Sequence, residues 1–372
     1  MTLSTAELTS RLAGLRPTHA SDGAALAAEL TAAELTEHGL TAELRERDGA
    51  RQVLATCDLG PGGRHVVLNG HLDIDQPIMD DSGGELRSGR IHGTGTSDML
   101  GGVATIVTAV AELARRSDLH GRLTVQLVAD GHRDGAGTNA LAALLDDAEL
   151  AILTEPTDRH VCTTAYGFSR HRLTSWGAPG PMAYAADVHN AATHAAAAVL
   201  ALNDANEELR QLYPTRQGIR YVLPGRVAAG LDPSTPALSG EVDFTLALPP
   251  LLPAEVARKV IDDRLHDRFH PAGLPLPSWS ERELLSPATS LGHTTFADLL
   301  RTVNPGLSWC QYPCPSDAHV FQELGVPMVL YGPGDTTRTR RPGEHVEVAE
   351  LEECGRTLTS ALVLLLAKGA ES

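Results

Sequence analysis

Apolar runs and helical patterns alternate along the first part of the chain. Short apolar runs at residues 66–68, 123–128 and 150–153 are typical of buried strands, whereas periodic, Ala-rich patterns at 99–114 and 138–145 predict helices. Strands that alternate with helices form βαβ units, which build a largely parallel sheet covered by helices. Ligands bind beyond the carboxyl ends of the strands in such sheets, so polar residues that follow the apolar runs are candidate site residues.

The pattern changes after Gly167. Residues 168–176 and 241–248 have strand patterns, residues 184–202 and 253–265 have helical patterns, and Pro and Gly cluster between these segments. These features predict a small α+β unit that is inserted into the first domain.

Strand and helix patterns resume at residues 327–331 and 350–366, which indicates that the C-terminal part of the chain completes the first domain. We therefore predict an α/β fold with a mostly parallel sheet built from residues 1–166 and 284–372, and a smaller α+β domain inserted at residues 167–283. A length of 372 residues and a hydrophobic content of 42% suit two domains with sizeable cores.

Charge and cysteine content narrow the class of function. The net charge of −17 disfavours binding to nucleic acid or to an anionic membrane, because both are polyanions. We expect neither a membrane span nor a secretion signal, and therefore a cytoplasmic location, since no long apolar run and no basic N-terminal region followed by an apolar core is present. The five cysteines are scattered and odd in number, which favours reduced thiols. Cys310 and Cys314 lie close together in the sequence, but one such pair is weak evidence for a zinc site, and we interpret the pair as structural or incidental.

Four polar residues follow the predicted strands or precede the predicted helix. His71 and Asp73 are two residues apart at a strand end, a spacing that suits a metal ligand and the carboxylate that accepts the other N–H of its imidazole. Asp98 precedes the helix predicted at residues 99–114, where an N-cap is the simpler interpretation of this residue alone. Glu155 ends an apolar strand before a Pro, where a simple turn residue is equally plausible.

Together these segments resemble the zinc deacylase and carboxypeptidase family that includes acetylornithine deacetylase, succinyl-diaminopimelate desuccinylase, glutamate carboxypeptidase and aminoacylase. The matching segments are Gly-His-Leu-Asp ending at Asp73, Gly-Thr-Gly-Thr-Ser-Asp-Met-Leu-Gly-Gly ending at Gly102, Thr-Glu-Pro-Thr ending at Thr157, and Gly-Pro-Gly ending at Gly334. Their order and spacing match the family along essentially the whole chain. The resemblance implies a zinc-peptidase-like catalytic domain and an inserted domain that caps the site and commonly dimerises.

The resemblance also implies a chemistry. Family members use two bridged zinc ions that activate a water against an amide. By resemblance, His71, Asp98 and Glu155 hold one metal, with Asp98 placed to bridge and Asp73 behind His71. We therefore expect a metal-dependent enzyme of the amidohydrolase, deacylase or peptidase type, a small-molecule substrate, and a homodimer formed through the inserted domain.

The chain departs from the family pattern at residues 128–138. There the family's Asp-Glu-Glu segment aligns with Asp130, Gly131 and His132, so the family's general base falls on a glycine, which cannot accept a proton. His132 could replace the second glutamate as a neutral zinc ligand. His132 could instead replace the base, because imidazole has a pKa suited to proton transfer near neutrality, and Asp134 is a further candidate for that role.

A second departure lies in the late segment. Both counts that place the family's ligand His, six residues after Gly334 and four before Glu344, end on Arg340, which stays protonated and cannot ligate a metal. We predict that this guanidinium pairs with Asp98 and holds an oxyanion or a carboxylate. His345 is a less favoured replacement ligand, since relatives usually carry an aromatic residue at that position.

The inserted domain departs from the family as well. The family's oxyanion-binding His falls near Pro181, and the Arg that recognises a substrate carboxylate falls on Ala247. One retained metal site predicts a single zinc ion, with two not excluded. Three functions stay open: a hydrolase with a rearranged base, an enzyme that uses the pocket for cyclisation, acyl transfer or elimination, and a non-catalytic binding protein. The family makes the hydrolase the first choice.

Overall fold

The computed structural model describes residues 3–76, 83–131, 135–145, 147–183, 189–215, 218–290 and 294–367. The strands in these ranges are β1 Thr41–Arg47, β2 Ala50–Gly60, β3 Arg64–His71, β4 Glu85–Arg87, β5 Arg90–His92, β6 Gly121–Val128, β7 Leu150–Leu153, β8 His160–Ala165, β9 Gly167–Trp176, β10 Val222–Ala229, β11 Ser239–Leu248, β12 Ser278–Ser286, β13 Thr289–Ser290, β14 Ser308–Tyr312, β15 Met328–Leu330 and β16 His345–Glu347. The helices are α1 Thr5–Gly14, α2 Asp22–Glu37, α3 Gly101–Leu113, α4 Ala136–Ala142, α5 Ala191–Leu212, α6 Ala254–Phe269, α7 Thr295–Val303, α8 Ala318–Glu323 and α9 Val348–Leu366. The chain divides into two compact units, Met1–Ala165 with Thr289–Ser372, and Tyr166–Ala288.

A nine-stranded sheet, counted within the described ranges, forms the centre of the first unit. Its strand order is β1-β2-β6-β3-β7-β15-β8-β13, and β14 also pairs with β8. The central neighbours β6, β3, β7 and β15 run parallel to one another, whereas antiparallel pairs lie toward both edges. The predicted α/β fold with a mostly parallel central sheet is therefore confirmed.

The central strands are buried almost along their whole length, as expected for strands covered by helices on both faces. Helix α3 packs against β3 and α9 through a surface rich in Ala and Val. Its second residue, Gly102, comes so close to the end of β7 that a Cβ there would lie 2.1 Å from the carbonyl oxygen of Thr154. The absence of a side chain at Gly102 thus brings the start of α3 against the strand end that carries Glu155.

The second unit has its own antiparallel sheet, of order β10-β11-β9-β12, and a separate apolar core formed with α5 and α6. The predicted start of α5 at residue 184 is wrong, because Asn190 caps the helix and its side-chain oxygen accepts a hydrogen bond from the backbone N–H of Ala192 at 3.0 Å. The helix also continues past the predicted end at residue 202. Residues 184–188 lie outside the described residues. None of the helices in the described ranges combines the length and the apolarity needed to cross a bilayer.

Candidate metal centre

The structure brings together three of the residues that the sequence nominates as metal ligands. One donor atom from each of His71, Asp98 and Glu155 lies within 4.8 Å of the others. The imidazole Nε2 of His71 is 3.3 Å from Oδ1 of Asp98. His71 and Glu155 are both 5% exposed, so the cluster is largely shielded from water. One imidazole and two carboxylates form a donor set that suits zinc, whose charge balances the two acids.

The sheet explains why two of these ligands meet. His71 is the last residue of β3, and Glu155 follows the end of β7 by two residues. The two strands are parallel neighbours, in register from Val66 opposite Leu150 onward. Their carboxyl ends therefore open at the same edge of the sheet, which is where ligands bind in folds of this kind.

Asp98 is supplied by the turn Thr96–Leu100, which precedes α3. Its backbone is extended, with φ −129° and ψ 94°, and its peptide bond to the next residue is cis. The helix begins three residues later without a side-chain cap, so the N-cap interpretation of Asp98 is wrong. Glu344 holds the turn in place, because its Oε1 accepts hydrogen bonds from the backbone N–H groups of Gly95 at 2.9 Å and Ser97 at 3.2 Å.

Backbone contacts orient the imidazole of His71. Its Nδ1 lies 2.9 Å from the carbonyl oxygen of Asp73 and 3.7 Å from the Oδ1 of the same residue. Since a carbonyl oxygen only accepts, Nδ1 carries a proton, and Nε2, which faces Asp98, is the nitrogen left to bind a cation once it is deprotonated. The sequence predicted that the carboxylate of Asp73 accepts this N–H, whereas the shorter contact is to the backbone carbonyl of the same residue. Its carboxylate accepts a hydrogen bond from the backbone N–H of Gly131 at 2.9 Å.

Burial and charge set the protonation of the metal-free ligands. Burial lowers the pKa of His71, but the hydrogen bond to Asp98 and the charges of the nearby carboxylates outweigh it and raise the pKa to about 10. Burial raises the pKa of Glu155 to about 8, against the opposing charge of His71. Both groups therefore carry a proton at neutral pH and must lose it before they can bind a cation.

We expect the zinc affinity of the metal-free chain to rise with pH. Below pH 8, binding displaces a proton from both His71 and Glu155, so the affinity should rise by up to about 100-fold per pH unit, tenfold for each proton. Competition with a chelator at several pH values measures the slope, and calorimetry in buffers of different ionisation enthalpy counts the protons released. An affinity that does not change between mildly acidic and mildly alkaline pH contradicts this prediction.

Gly131 is packed directly against His71. A Cβ built on this glycine would lie 2.3 Å from both Cβ and Cγ of the His71 side chain. No side chain fits at Gly131 while the imidazole keeps this position. The two residues that follow in the predicted base segment, His132 and Asp134, lie outside the described residues.

Arg340 forms an ion pair with Asp75. Its Nε lies 2.5 Å from Oδ2 of Asp75, and its side chain is 58% exposed. Its backbone is left-handed, with φ 57°, and its N–H donates to Oε2 of Glu344 at 3.2 Å. The guanidinium is thus accessible, while the backbone of Arg340 is bound to the same glutamate that holds the Asp98 turn.

The remaining candidates are not members of the ligand cluster within the described residues. His345 is in β16, paired with β5, where its ring packs against His92 at 5.2 Å. Among the described residues, His345 is not part of the three-residue ligand cluster. Pro181 and Ala247 both belong to the second unit. Cys310 and Cys314 are not joined in a disulfide, and burial together with the charges of Asp98 and Glu155 raises the pKa of the Cys314 thiol.

Two residues that support the site were missed by the sequence analysis. The hydroxyl of Tyr312 donates a hydrogen bond to Oε2 of Glu155 at 3.0 Å. In the sequence, Glu344 is only a reference position for locating Arg340. In the structure, its carboxylate holds the turn that carries Asp98. The available signal for Tyr312 was its place at the end of a short strand-like run, directly before a Pro.

Comparisons with known proteins concern the family and the fold of the chain. Residues 67–363 match the profile of Peptidase family M20/M25/M40. A succinyl-diaminopimelate desuccinylase from Wolinella succinogenes is 26% identical over 337 residues, which cover 85% of this chain and 88% of that protein. An M20 family metallo-carboxypeptidase from Sulfolobus solfataricus has the same fold, with a TM-score of 0.73, 13% identity and coverage of 96% and 98%. A dinuclear metal-binding M20 peptidase from Bacillus subtilis gives a TM-score of 0.64, 15% identity and coverage of 97% and 98%.

Proposed function

The chain belongs to peptidase family M20/M25/M40, a family of metal-dependent hydrolases, and we propose that it acts on a small amide through one cation held by His71, Asp98 and Glu155. The substrate class is an N-acyl amino acid or a peptide-like molecule. The observation that carries the proposal is the convergence of the buried His71 and Glu155 with the partly buried Asp98 at the carboxyl edge of the sheet. The name of the desuccinylase relative, whose substrate is an N-acyl amino acid, supports the same substrate class.

The proposed roles divide between the cation and the chain. A bound zinc ion supplies Lewis-acid chemistry, which polarises a carbonyl group and favours the deprotonation of water. The backbone carbonyl of Asp73 fixes the tautomer of His71 so that Nε2 faces the cation. We assign proton transfer to His132 or Asp134, since Gly131 has no side chain and the family's base aligns with it.

Arg340 is proposed to anchor the substrate. A guanidinium can hold a carboxylate or an oxyanion through two parallel hydrogen bonds. Arg340 has an exposed side chain, and its present partner, Asp75, is itself a carboxylate. A substrate carboxylate could therefore take the place of Asp75 without leaving the guanidinium unpaired.

The experiment that tests this proposal compares N-acyl amino acids with the same compounds carrying a neutral carboxamide. The wild-type chain with zinc is expected to favour the carboxylates, and Arg340→His to weaken their KM, or their Kd where turnover is absent, by about 10- to 100-fold. Histidine tolerates the left-handed backbone at this position. Arg338→His is the matched control, because Arg338 lies two residues before Arg340 and likewise pairs with an aspartate, Asp335, at 3.4 Å. If Arg340→His changes neither carboxylate binding nor zinc content, the anchoring role is wrong.

A non-hydrolytic reaction is the second candidate, and the packing of Gly131 favours it. The 2.3 Å separation leaves no room for a carboxylate base on this residue beside His71. A pocket that retains a cation but lacks that base suits cyclisation, acyl transfer or elimination. Products other than the free acid and amine, identified by mass spectrometry from the same panel, would favour this candidate. A chain that binds the compounds without converting them is instead a binding protein.

We also propose a homodimer formed through the second unit. Strand β10 lies at the edge of its sheet, and two large apolar side chains on it, Leu223 and Val227, are 50% and 53% exposed. An exposed edge strand with apolar side chains is a surface that proteins normally cover. Sedimentation that finds only monomers at micromolar concentration would rule the dimer out.

A further inference from the structure

Tyr312 is a buried tyrosine whose hydroxyl contacts a candidate metal ligand. It is the last residue of β14 and is 1% exposed. Its hydroxyl donates a hydrogen bond to Oε2 of Glu155 at 3.0 Å, across 157 residues of sequence. The contact is direct and is shielded from water, so it bears on the position of that carboxylate.

The surrounding sheet fixes the position of the hydroxyl. Strand β14 runs parallel to β8, with Tyr312 opposite Ala165. The aromatic ring packs in an apolar cluster that also contains Phe321 and Leu330, the last residue of β15. Because β15 pairs with β7, the strand that Glu155 follows, donor and acceptor are attached to the same rigid sheet.

The phenol acts as a donor throughout the range of interest. Burial is the main factor that raises the pKa of Tyr312 well above its usual value, and the charges of Glu155, Cys314 and Asp98 raise it further. Once Glu155 is ionised, as it must be to bind a cation, a protonated phenol beside it can only donate. The hydrogen bond occupies one oxygen of Glu155 and leaves the other, Oε1, for a cation.

We propose that Tyr312 is a positioning residue for Glu155, which holds the carboxylate in the rotamer that presents Oε1 to the metal. This inference rests on the proposed metal site. Hydrogen bonds to a ligating carboxylate fix its direction and reduce the freedom that is lost on binding. Removing one such partner typically lowers metal affinity by about 10- to 100-fold.

The test compares Tyr312→Phe with Tyr331→Phe. Both tyrosines are 1% exposed and lose only a hydroxyl, but the hydroxyl of Tyr331 interacts with Thr357 and Cys354 rather than with a ligand. Metal-free chains are titrated with zinc against a chelator, and their melting temperatures are recorded. We expect Tyr312→Phe to lower zinc affinity by about 10- to 100-fold and Tyr331→Phe by less than about threefold, with similar melting temperatures for the two variants.

A double-mutant cycle separates positioning from general destabilisation. In a Glu155→Gln background, the loss of the Tyr312 hydroxyl is expected to change zinc affinity by less than about twofold, because no carboxylate is left to position. Equal zinc affinity in Tyr312→Phe and the wild-type chain overturns the positioning role while leaving the metal site intact. A wild-type chain that binds no zinc overturns the metal site itself, and the positioning role with it.

Discussion

Exchanging Glu155 for glutamine is expected to lower the zinc affinity of the chain by more than about 100-fold, beyond the loss typical of an outer hydrogen-bond partner. The metal-free fold should survive, because Glu155 has a pKa of about 8 and is already neutral at pH 7. A glutamine amide has the shape of that neutral form, and its oxygen can accept the hydrogen bond of Tyr312. Zinc titration and the melting temperature of the metal-free chain measure the two effects separately.

Glu350→Gln provides the matched control for this exchange. Glu350 is also a buried carboxylate, 8% exposed, and it accepts a hydrogen bond from the backbone N–H of Gly334 at 2.9 Å. It is not part of the ligand cluster of the described residues. Its exchange should leave zinc affinity within about threefold of the wild-type value. Equal zinc affinity in Glu155→Gln and Glu350→Gln would remove Glu155 from the ligand set.

Replacing Gly131 with alanine is expected to damage both the fold and the metal site. The added Cβ would lie 2.3 Å from two atoms of His71, so the imidazole or the backbone must move. Overpacking of this kind costs about 1–3 kcal/mol of unfolding free energy. Because His71 is the ligand that must move, zinc affinity should also fall by about tenfold or more, as for a misplaced ligand. Chemical denaturation and zinc titration measure the two losses.

Gly355→Ala is the control for the Gly131 exchange. Gly355 lies inside α9 with no atom within 4 Å of an added Cβ, so alanine there should stabilise the chain by about 0.5–1 kcal/mol. Gly131→Glu should behave like Gly131→Ala and should not hydrolyse amides faster than the wild-type chain, although it introduces the glutamate that the family resemblance implies at this position. Faster hydrolysis by Gly131→Glu than by the wild-type chain, with undiminished zinc affinity, would contradict this account.

The sequence was sufficient to predict the parts of the site that depend on strand ends. His71 and Glu155 follow apolar runs, and parallel strands necessarily bring such positions to one edge. The motif placed Asp98 correctly among the ligands, but the helix N-cap predicted for it was wrong. Asp98 lies in an extended turn that a distant glutamate holds, and the local sequence of such a turn cannot be told from that of a helix cap.

Contacts between distant segments account for what the sequence could not predict. The Tyr312 hydroxyl meets Glu155 only because β14, β8, β15 and β7 are joined in one sheet. The close packing of Gly131 on His71 is likewise a property of the folded chain. The sequence analysis also did not predict the N-terminal elements α1, α2, β1 and β2. Strand β1 is mostly exposed, so its sequence shows little of the apolar alternation that marks a half-buried strand.

The most direct test of the account is the number of zinc ions that the wild-type and Glu155→Gln chains retain after dialysis against a chelator of moderate affinity. The dialysis removes ions that are bound weakly at the surface. His266 and His270, whose rings stack at 4.9 Å at the exposed end of α6, could hold such an ion, and a His270→Ala variant controls for it. Elemental analysis is predicted to find one ion per wild-type chain and none in Glu155→Gln. Two ions per wild-type chain, or one ion retained by Glu155→Gln, would contradict the single site formed by His71, Asp98 and Glu155.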